Sequence, residues 1–464
     1  MNLLSPTVSA IGYLLAAVCF ILALKGLSSP ASARRGNLIG AGGAVLAVLV
    51  AFLSEDLHHV PLILLAIGVG SAVGVPAARR VAMTQMPQLV ALFNGVGGGA
   101  AALVAALELT EHGDPGAIGA AAGAFTILVG CVSFSGSVVT FAKLQELMTT
   151  RPVTFPGGPF LFGGSLLVGV LLAVGIVVQG SGGTPSVLLL VLLAVVALVV
   201  GVLFVLPVGG ADVPIVISLL NAFTSLTVAA SGYVLGNTLL LVAGTLVGAS
   251  GTILTRLMAA AMGRPLTSTL FGAFRPSTAV AAVGGDERPV RSGSAEDVAI
   301  LLGYARKVVI VPGYGLAVAQ AQHTIRELAE LLEGRGVEVL YGIHPVAGRM
   351  PGHMNVLLAE ANVPYEVLKE MDEVNPQLRT ADVALVVGAN DVVNPAAKTS
   401  PGAPIYGMPI LEVDQAQQVV FLKRSMRPGF AGIENELLYD PKTLMLFGDA
   451  KDSLSAVVSA VKTL

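Results

Sequence analysis

Along the first half of the chain, charge-free apolar runs alternate with short polar or glycine-rich loops. The runs occupy about 5–24, 36–53, 60–78, 86–107 and 116–142. Residues 152–211 carry no charged side chain, and "QGSGGTPS", Gln179 to Ser186, divides them into runs at about 159–178 and 186–207. Residues 213–255 are also uncharged and are split by "SGYVLGN", Ser231 to Asn237. A helix crosses a bilayer with about 20 mostly apolar residues, so this pattern predicts nine spans. The pattern then changes. "RPSTAVAAVGGDERPVRSGSAEDV" is rich in Pro, Gly, Ser and charge and reads as a connector. Beyond it, "KVVIVP" is a short β-branched strand, and "VEVLYGIHP", "ADVALVVGAND", "APIYGMPILEV" and "QQVVFLKRS" read as further strands. Between the first two, "LAVAQAQHTIRELAELLEGRG" has helical periodicity, with Leu328, Leu331 and Leu332 on one face and Gly334 and Gly336 to end it. Strands alternating with helices predict a parallel α/β sheet covered on both faces. The expected organisation is a polytopic α-helical membrane domain at 1–264, a linker at 265–300 and a Rossmann-like domain at 301–464.

Composition sharpens this division. The 464 residues are 54% hydrophobic and only 12% charged, against about 25% charged in soluble domains. Only nine of the 26 basic and seven of the 29 acidic residues fall within 1–264. The net charge of −3 gives no reason to expect nucleic acid. Cys19 and Cys131 both lie in apolar runs and read as buried small hydrophobes. No CxxC or His/Cys cluster suggests a metal or a disulfide. The N-terminus lacks a basic leader and a small-residue cleavage site, so it reads as a first span. The loops alternate in sign. Lys25, Arg34 and Arg35 are followed by Glu55 and Asp56, then by Arg79 and Arg80, then by Glu108, Glu111 and Asp114, then by Lys143 and Arg151. Arg256 and Arg264 follow the ninth span. Basic loops favour the cytoplasm, which predicts an external N-terminus and a cytoplasmic C-terminal domain.

The spans hold few polar groups of consequence. Asn221 lies nine residues past Asp212, and Asn94 lies eight past Met86, placing both about 12–14 Å into their helices. Buried amides hold helices together or line a wet path. Ser133, Ser135, Ser137, Thr140, Ser225, Thr227, Ser250 and Thr252 are candidates to extend such a path, and Asp212 stands at its mouth. No Asp, Glu, Lys or Arg falls at a span centre, and all six histidines lie outside the span cores. Gly244 and Gly248, four apart, suit close helix packing.

In the soluble half, Gly313-Tyr314-Gly315 follows a strand and precedes a helix, which lets backbone approach a pyrophosphate. Val318 stands where a third glycine is usual. The second strand ends in "LYGIHP" without the acid that normally holds a ribose 2′-hydroxyl. A later strand ends in Lys423, Arg424 and Ser425, two cations and a hydroxyl suited to a 2′-phosphate. Together these favour NADP over NAD. "HPVAGRMPGHMN" brings His344, Arg349 and His353 into one Gly/Pro-rich loop, read as a cofactor clamp. No nucleophilic triad or carboxylate pair stands out, and hydride transfer needs none.

The motifs "MTQMPQLVA", "VPIVISLLNAFTS", "LVGASGTIL", "PGYGLAVAQAQ", "HPVAGRMPGHMNVLLAEANVPY", "VGANDVVNPAA", "GMPILEV", "KRSM" and "LLYDPKTLMLFGDAK" run in order through the whole chain. In these the sequence resembles the beta subunit of proton-translocating NAD(P) transhydrogenase. The resemblance implies NADP(H) bound in reversed orientation by Gly313, Tyr314, Gly315, Ala317 and Val318, with Arg349, Gly352 and their loop in contact. Asn390 and Asp391 would lie near the nicotinamide as catalytic residues, Asp391 linked to the proton step. Lys423, Arg424 and Ser425 would hold the 2′-phosphate. One or two alpha chains would bring NAD(H) and further spans, and alpha–beta units would pair in the plasma (inner) membrane. Asn221, Asp212, Ser250, Gly251 and Arg264 match positions tied to proton coupling, and Asn94 is read as part of the same path. Two departures stand out. Asn94 replaces a histidine common in the family, which leaves the proton to a group on the alpha chain or to water and amides. Phe430 replaces a usual tyrosine. A different class of function, a channel or transporter gated by a nucleotide-binding domain, would need a filter or paired half-helices, and the sequence contains neither.

Overall fold

The structure, a computed structural model, describes all residues except 1–3, 55–56, 58, 82–84, 112–115, 146, 150–152, 210–211, 262–287, 349–351, 402, 404 and 430. The chain forms two compact units, Met1–Thr255 and Arg256–Leu464.

Among the described residues, nine helices are long and apolar enough to cross a membrane. They are α1 (Pro6–Leu27), α2 (Pro30–Ser54), α3 (Val60–Arg80), α4 (Met86–Glu111), α5 (Gly116–Leu144), α6 (Gly158–Gly180), α7 (Val187–Val205), α8 (Val213–Val234) and α9 (Thr238–Ala261). Glycines explain why they pack closely. A Cβ on Gly130 of α5 would stand 2.6 Å from the Gly98 carbonyl of α4. One on Gly232 of α8 would stand 2.5 Å from the Leu241 amide of α9, and one on Gly244 would overlap the Ala229 amide. Small residues therefore bring the backbones together where no hydrophobic force separates helix from lipid. By contrast α3 buries none of its residues within the chain.

The second unit is a six-stranded, all-parallel sheet of order β3-β2-β1-β4-β5-β6. The strands are β1 (Lys307–Pro312), β2 (Glu338–Ile343), β3 (Leu368–Glu370), β4 (Val383–Val387), β5 (Gln418–Lys423) and β6 (Thr443–Phe447). Successive side chains of a strand point to opposite faces. Accordingly Val308, Ile310, Leu385, Val387, Val420 and Leu422 enter one core, while Val309, Val311, Ala384, Val386, Val419 and Phe421 enter the other. Helix α10 (Ala295–Gly303) precedes the sheet. Ser294 caps it reciprocally with Asp297.

The sheet departs from sequence expectation in three places. "APIYGMPILEV" forms no strand: Pro409 has no amide to donate and Gly407 turns at φ 84°. Two strands not expected from the sequence, β3 and β6, form the two edges of the sheet. The helix expected from Leu316 onward is broken. It runs as α11 (Tyr314–Val318) and α12 (Gln322–Glu333), with Gln320 at φ 49° between them.

Candidate functional site

Strand order reverses between β1 and β4, and in open α/β sheets ligands bind at the carboxyl ends beside that switch point. Three glycines let the two strand ends cross there. Gly313 donates to Val387 O and Gly315 to Gly388 O, each at 2.9 Å. A Cβ on Gly313 would overlap Ala389 Cα and the Gly388 carbonyl, and Gly388 itself turns at φ 68°. Tyr314 edges the crossing, with its ring 6.2 Å from that of the fully buried His353. Ala317 is 1% exposed and belongs to the core beneath the turn, while Val318 points outward.

The loop after β4 is tied to the segment after β5. Asn390 Nδ2 donates to Asp391 Oδ1 at 3.2 Å, and the Ala431 amide donates to Asp391 Oδ2 at 2.8 Å. Lys423 Nζ donates to Asn390 Oδ1 at 3.3 Å and to Arg427 O at 2.7 Å. Asn435 Nδ2 donates to Asn390 O at 3.2 Å. Gly429 packs so closely that any side chain there would overlap the Asn390 amide and Asp391 carboxylate. Burial lowers the Lys423 pKa, and the nearby Asp391 charge opposes that shift. Arg424 and Ser425 are exposed at the end of β5.

The loop after β2 corrects the clamp expectation for His344. That side chain is 1% exposed. Its Nδ1 accepts from the Val346 amide at 3.2 Å, which leaves Nε2 to donate to Pro409 O at 2.7 Å. Burial lowers its pKa, against the opposing effect of the Pro409 bond. It fastens the 409 segment to the loop. Gly352, at φ 69°, precedes α13 (His353–Glu360) and has open space around it. Arg349 lies outside the described residues.

In the membrane unit, Asn94 of α4 is 9% exposed and meets two α5 hydroxyls. Its Nδ2 donates to Ser137 Oγ at 3.0 Å and to Ser133 Oγ at 3.3 Å. Ser133 lies 2.5 Å from Thr224 Oγ1 of α8 and donates to Leu220 O at 3.0 Å. The Asn94 Oδ1 is buried with no partner among the described residues. The polar cluster thus joins three helices beside the close contact of Gly98 with Gly130 and Ser133.

A family model described as NAD(P) transhydrogenase beta subunit matches residues 9–460. Curated relatives include the NAD(P) transhydrogenase subunit beta of Rhodospirillum rubrum, 49% identical over 459 residues, covering 97% of this chain and 98% of that protein. A second sequence of that name, from a strain of the same species, matches equally. The chain belongs to the NAD(P) transhydrogenase beta subunit family.

As a transhydrogenase beta chain it brings together Gly313, Gly315, Asn390, Asp391 and Lys423 through the β1/β4/β5 ends. It does not bring together all the residues expected of the membrane path. Asn221 is exposed and its side chain makes no hydrogen bond to the Asn94 cluster among the described residues, and Ser250 is exposed and donates to Val247 O, one turn back. Ser135, Thr140, Ser225, Thr227 and Thr252 likewise donate to carbonyls of their own helices. Asp212 stands at the N-cap of α8, and Gly251 O accepts from Thr255 Oγ1 at 2.7 Å. Arg264 lies outside the described residues. Sequence reasoning missed Thr224, Gly388, Gly429 and Asn435. It also placed Lys143 in a loop. The residue is fully buried in the last turn of α5, where its Nζ donates to Val205, Leu206 and Val208 carbonyls. The signal was available: Lys143 directly precedes the end of an unbroken apolar helix, and Thr224 lies three residues past Asn221.

Proposed function

We propose that the chain binds NADP(H) on its sheet domain and conducts protons through its helical domain. It would act only with an alpha subunit that carries NAD(H), as a Re/Si-specific, proton-translocating transhydrogenase. The observation that carries the NADP(H) reading is the close glycine crossing of β1 and β4 beside Lys423, Arg424 and Ser425 at the end of β5. A dinucleotide pyrophosphate would suit the strand-turn-helix at Gly313, and two cations with a hydroxyl suit a 2′-phosphate. The bound nicotinamide supplies the hydride chemistry. Asn390 and Asp391 position the loop facing it and hold the segment after β5 over the strand ends. The family match supports the transhydrogenase reaction as the one served. Loop charges support an external N-terminus and a cytoplasmic sheet domain in the plasma membrane, and alpha–beta units would pair as dimers.

Binding to the purified full chain tests this reading. NADPH should bind, and hydride transfer to NAD should appear only when the alpha subunit is added. Replacing Lys423 and Arg424 together by Gln should weaken NADPH binding by about 10–100-fold while changing NADH binding little, from the loss of charged hydrogen bonds. Equal losses for both nucleotides would reject the phosphate assignment.

A further inference from the structure

A cavity of about 600 Å³ opens at the ends of α4, α5 and α8, lined by Glu108, Gly116, Ala117, Ile118, Gly119, Tyr233 and Val234. It lies at the opposite end of these helices from Asp212 and Lys143. Two stripes lead from it toward the Asn94 cluster. On α8, Thr224, Thr227, Ser231 and Val234 follow helical spacing on one face. Thr227 is fully buried, Ser231 is 7% exposed, and Ser231 Oγ has no hydrogen-bond partner among the described residues. A buried hydroxyl left unmatched in a membrane helix is costly unless something transient completes it. On α4, Asn94, Gly98, Ala105 and Glu108 follow the same rule. Gly98 brings the stripes together, since a Cβ there would stand 3.3 Å from Thr224 Oγ1. From Thr224 to Val234 the α8 stripe rises ten residue steps, about 15 Å.

We propose that this cavity is the outward mouth of the proton path, with Glu108 its proton-collecting carboxylate and Ser231, Thr227 and Thr224 the hydroxyls leading to Asn94. The inference rests on the proton-conducting reading above and on its orientation. Glu108 is half-buried at the cavity edge. Its carboxylate takes a proton from water and releases it inward, so no bond but O–H is made or broken. Glu108 and Tyr233 are the ionisable side chains among the described lining residues.

The test uses the complex of this chain with its alpha subunit in liposomes. Glu108→Gln should lower turnover by about tenfold or more, the scale of a lost proton-transfer group. NADPH affinity should not change. Glu108→Asp should keep most of the activity, and azide on the outer side should restore the Gln variant severalfold. A merely structural glutamate would not respond to azide. Ile118→Cys, in a chain with Cys19 and Cys131 replaced by Ser, gives an independent measure. Full labelling with a bulky impermeant thiol reagent from outside should inhibit turnover. Asn94→Ala separates the two ideas. If Asn94→Ala is impaired while Glu108→Gln and the labelled chain keep parental turnover, the mouth is overturned and the amide path stands. If all three keep parental turnover, both fall.

Discussion

Replacing Lys143 by Met removes a buried cation while keeping an unbranched stem of similar volume. In the parent, Lys143 Nζ donates to Val205 O at 3.0 Å, Leu206 O at 2.6 Å and Val208 O at 2.7 Å. The first two carbonyls end α7, where the helix dipole presents negative charge, and Val208 O follows just past it. A hydrogen bond from a charged donor contributes about 1.5–3 kcal/mol net, so three give about 5–9 kcal/mol. Holding the ammonium out of water costs several kcal/mol. The difference leaves a loss of about 2–4 kcal/mol for Lys143→Met. The purified chain in micelles, heated and scored by the fraction remaining monodisperse, should lose about 4–10 °C in its midpoint. Lys143→Arg should fall between, because a planar guanidinium does not match three carbonyls arranged around a compact ammonium. A Met variant melting within about 1 °C of the parent would refute the assignment of Lys143 as the pin between α5 and α7.

Gly313→Ala places a methyl against Ala389 Cα and the Gly388 carbonyl. It should cost about 1–3 kcal/mol or more as an overpacked contact and abolish NADPH retention, measured by equilibrium binding. Asn94→Ala should change stability by under about 1 kcal/mol, as interhelical hydrogen bonds in membranes usually do. Proton pumping by the reconstituted complex should nevertheless fall, and fall further than for Asn221→Ala, whose side chain leaves the cluster untouched. Expressed residues 288–464 should lose stability as pH drops below 6.5. Burial lowers the His344 pKa in the fold from its ordinary 6.5, so the unfolded chain binds more protons there. His344→Gln should flatten that part of the stability curve in calorimetry.

Nine helices and a strand-turn-helix at Gly313 were legible because each depends on local pattern. A run without charge must leave water, and a β-branched run ending in Gly-x-Gly has few local alternatives. The failures share a cause too. "APIYGMPILEV" has strand-like apolar residues, yet it passes the sheet as irregular chain fastened by His344 to Pro409 O. β3 and β6 are short, and the sheet holds them through pairing with β2 and β5. The break at Gln320 lies inside a perfectly good helical pattern. Each outcome depends on partners distant in the chain.

The same line divides the sites. By itself the sequence determined the two-part architecture, the glycine turn and the cation pair at the end of a strand, since these follow from residue type and neighbours. Only the tertiary structure decided that Asn94 joins Ser133, Ser137 and Thr224 while Asn221 stands apart. It alone sank Lys143 into the end of α7 and latched Asp391 to Ala431. Helical spacing ranks the faces of one helix, but which face meets which neighbour is set by where glycines let backbones approach. That choice is made between elements, and no window of sequence contains both sides of it.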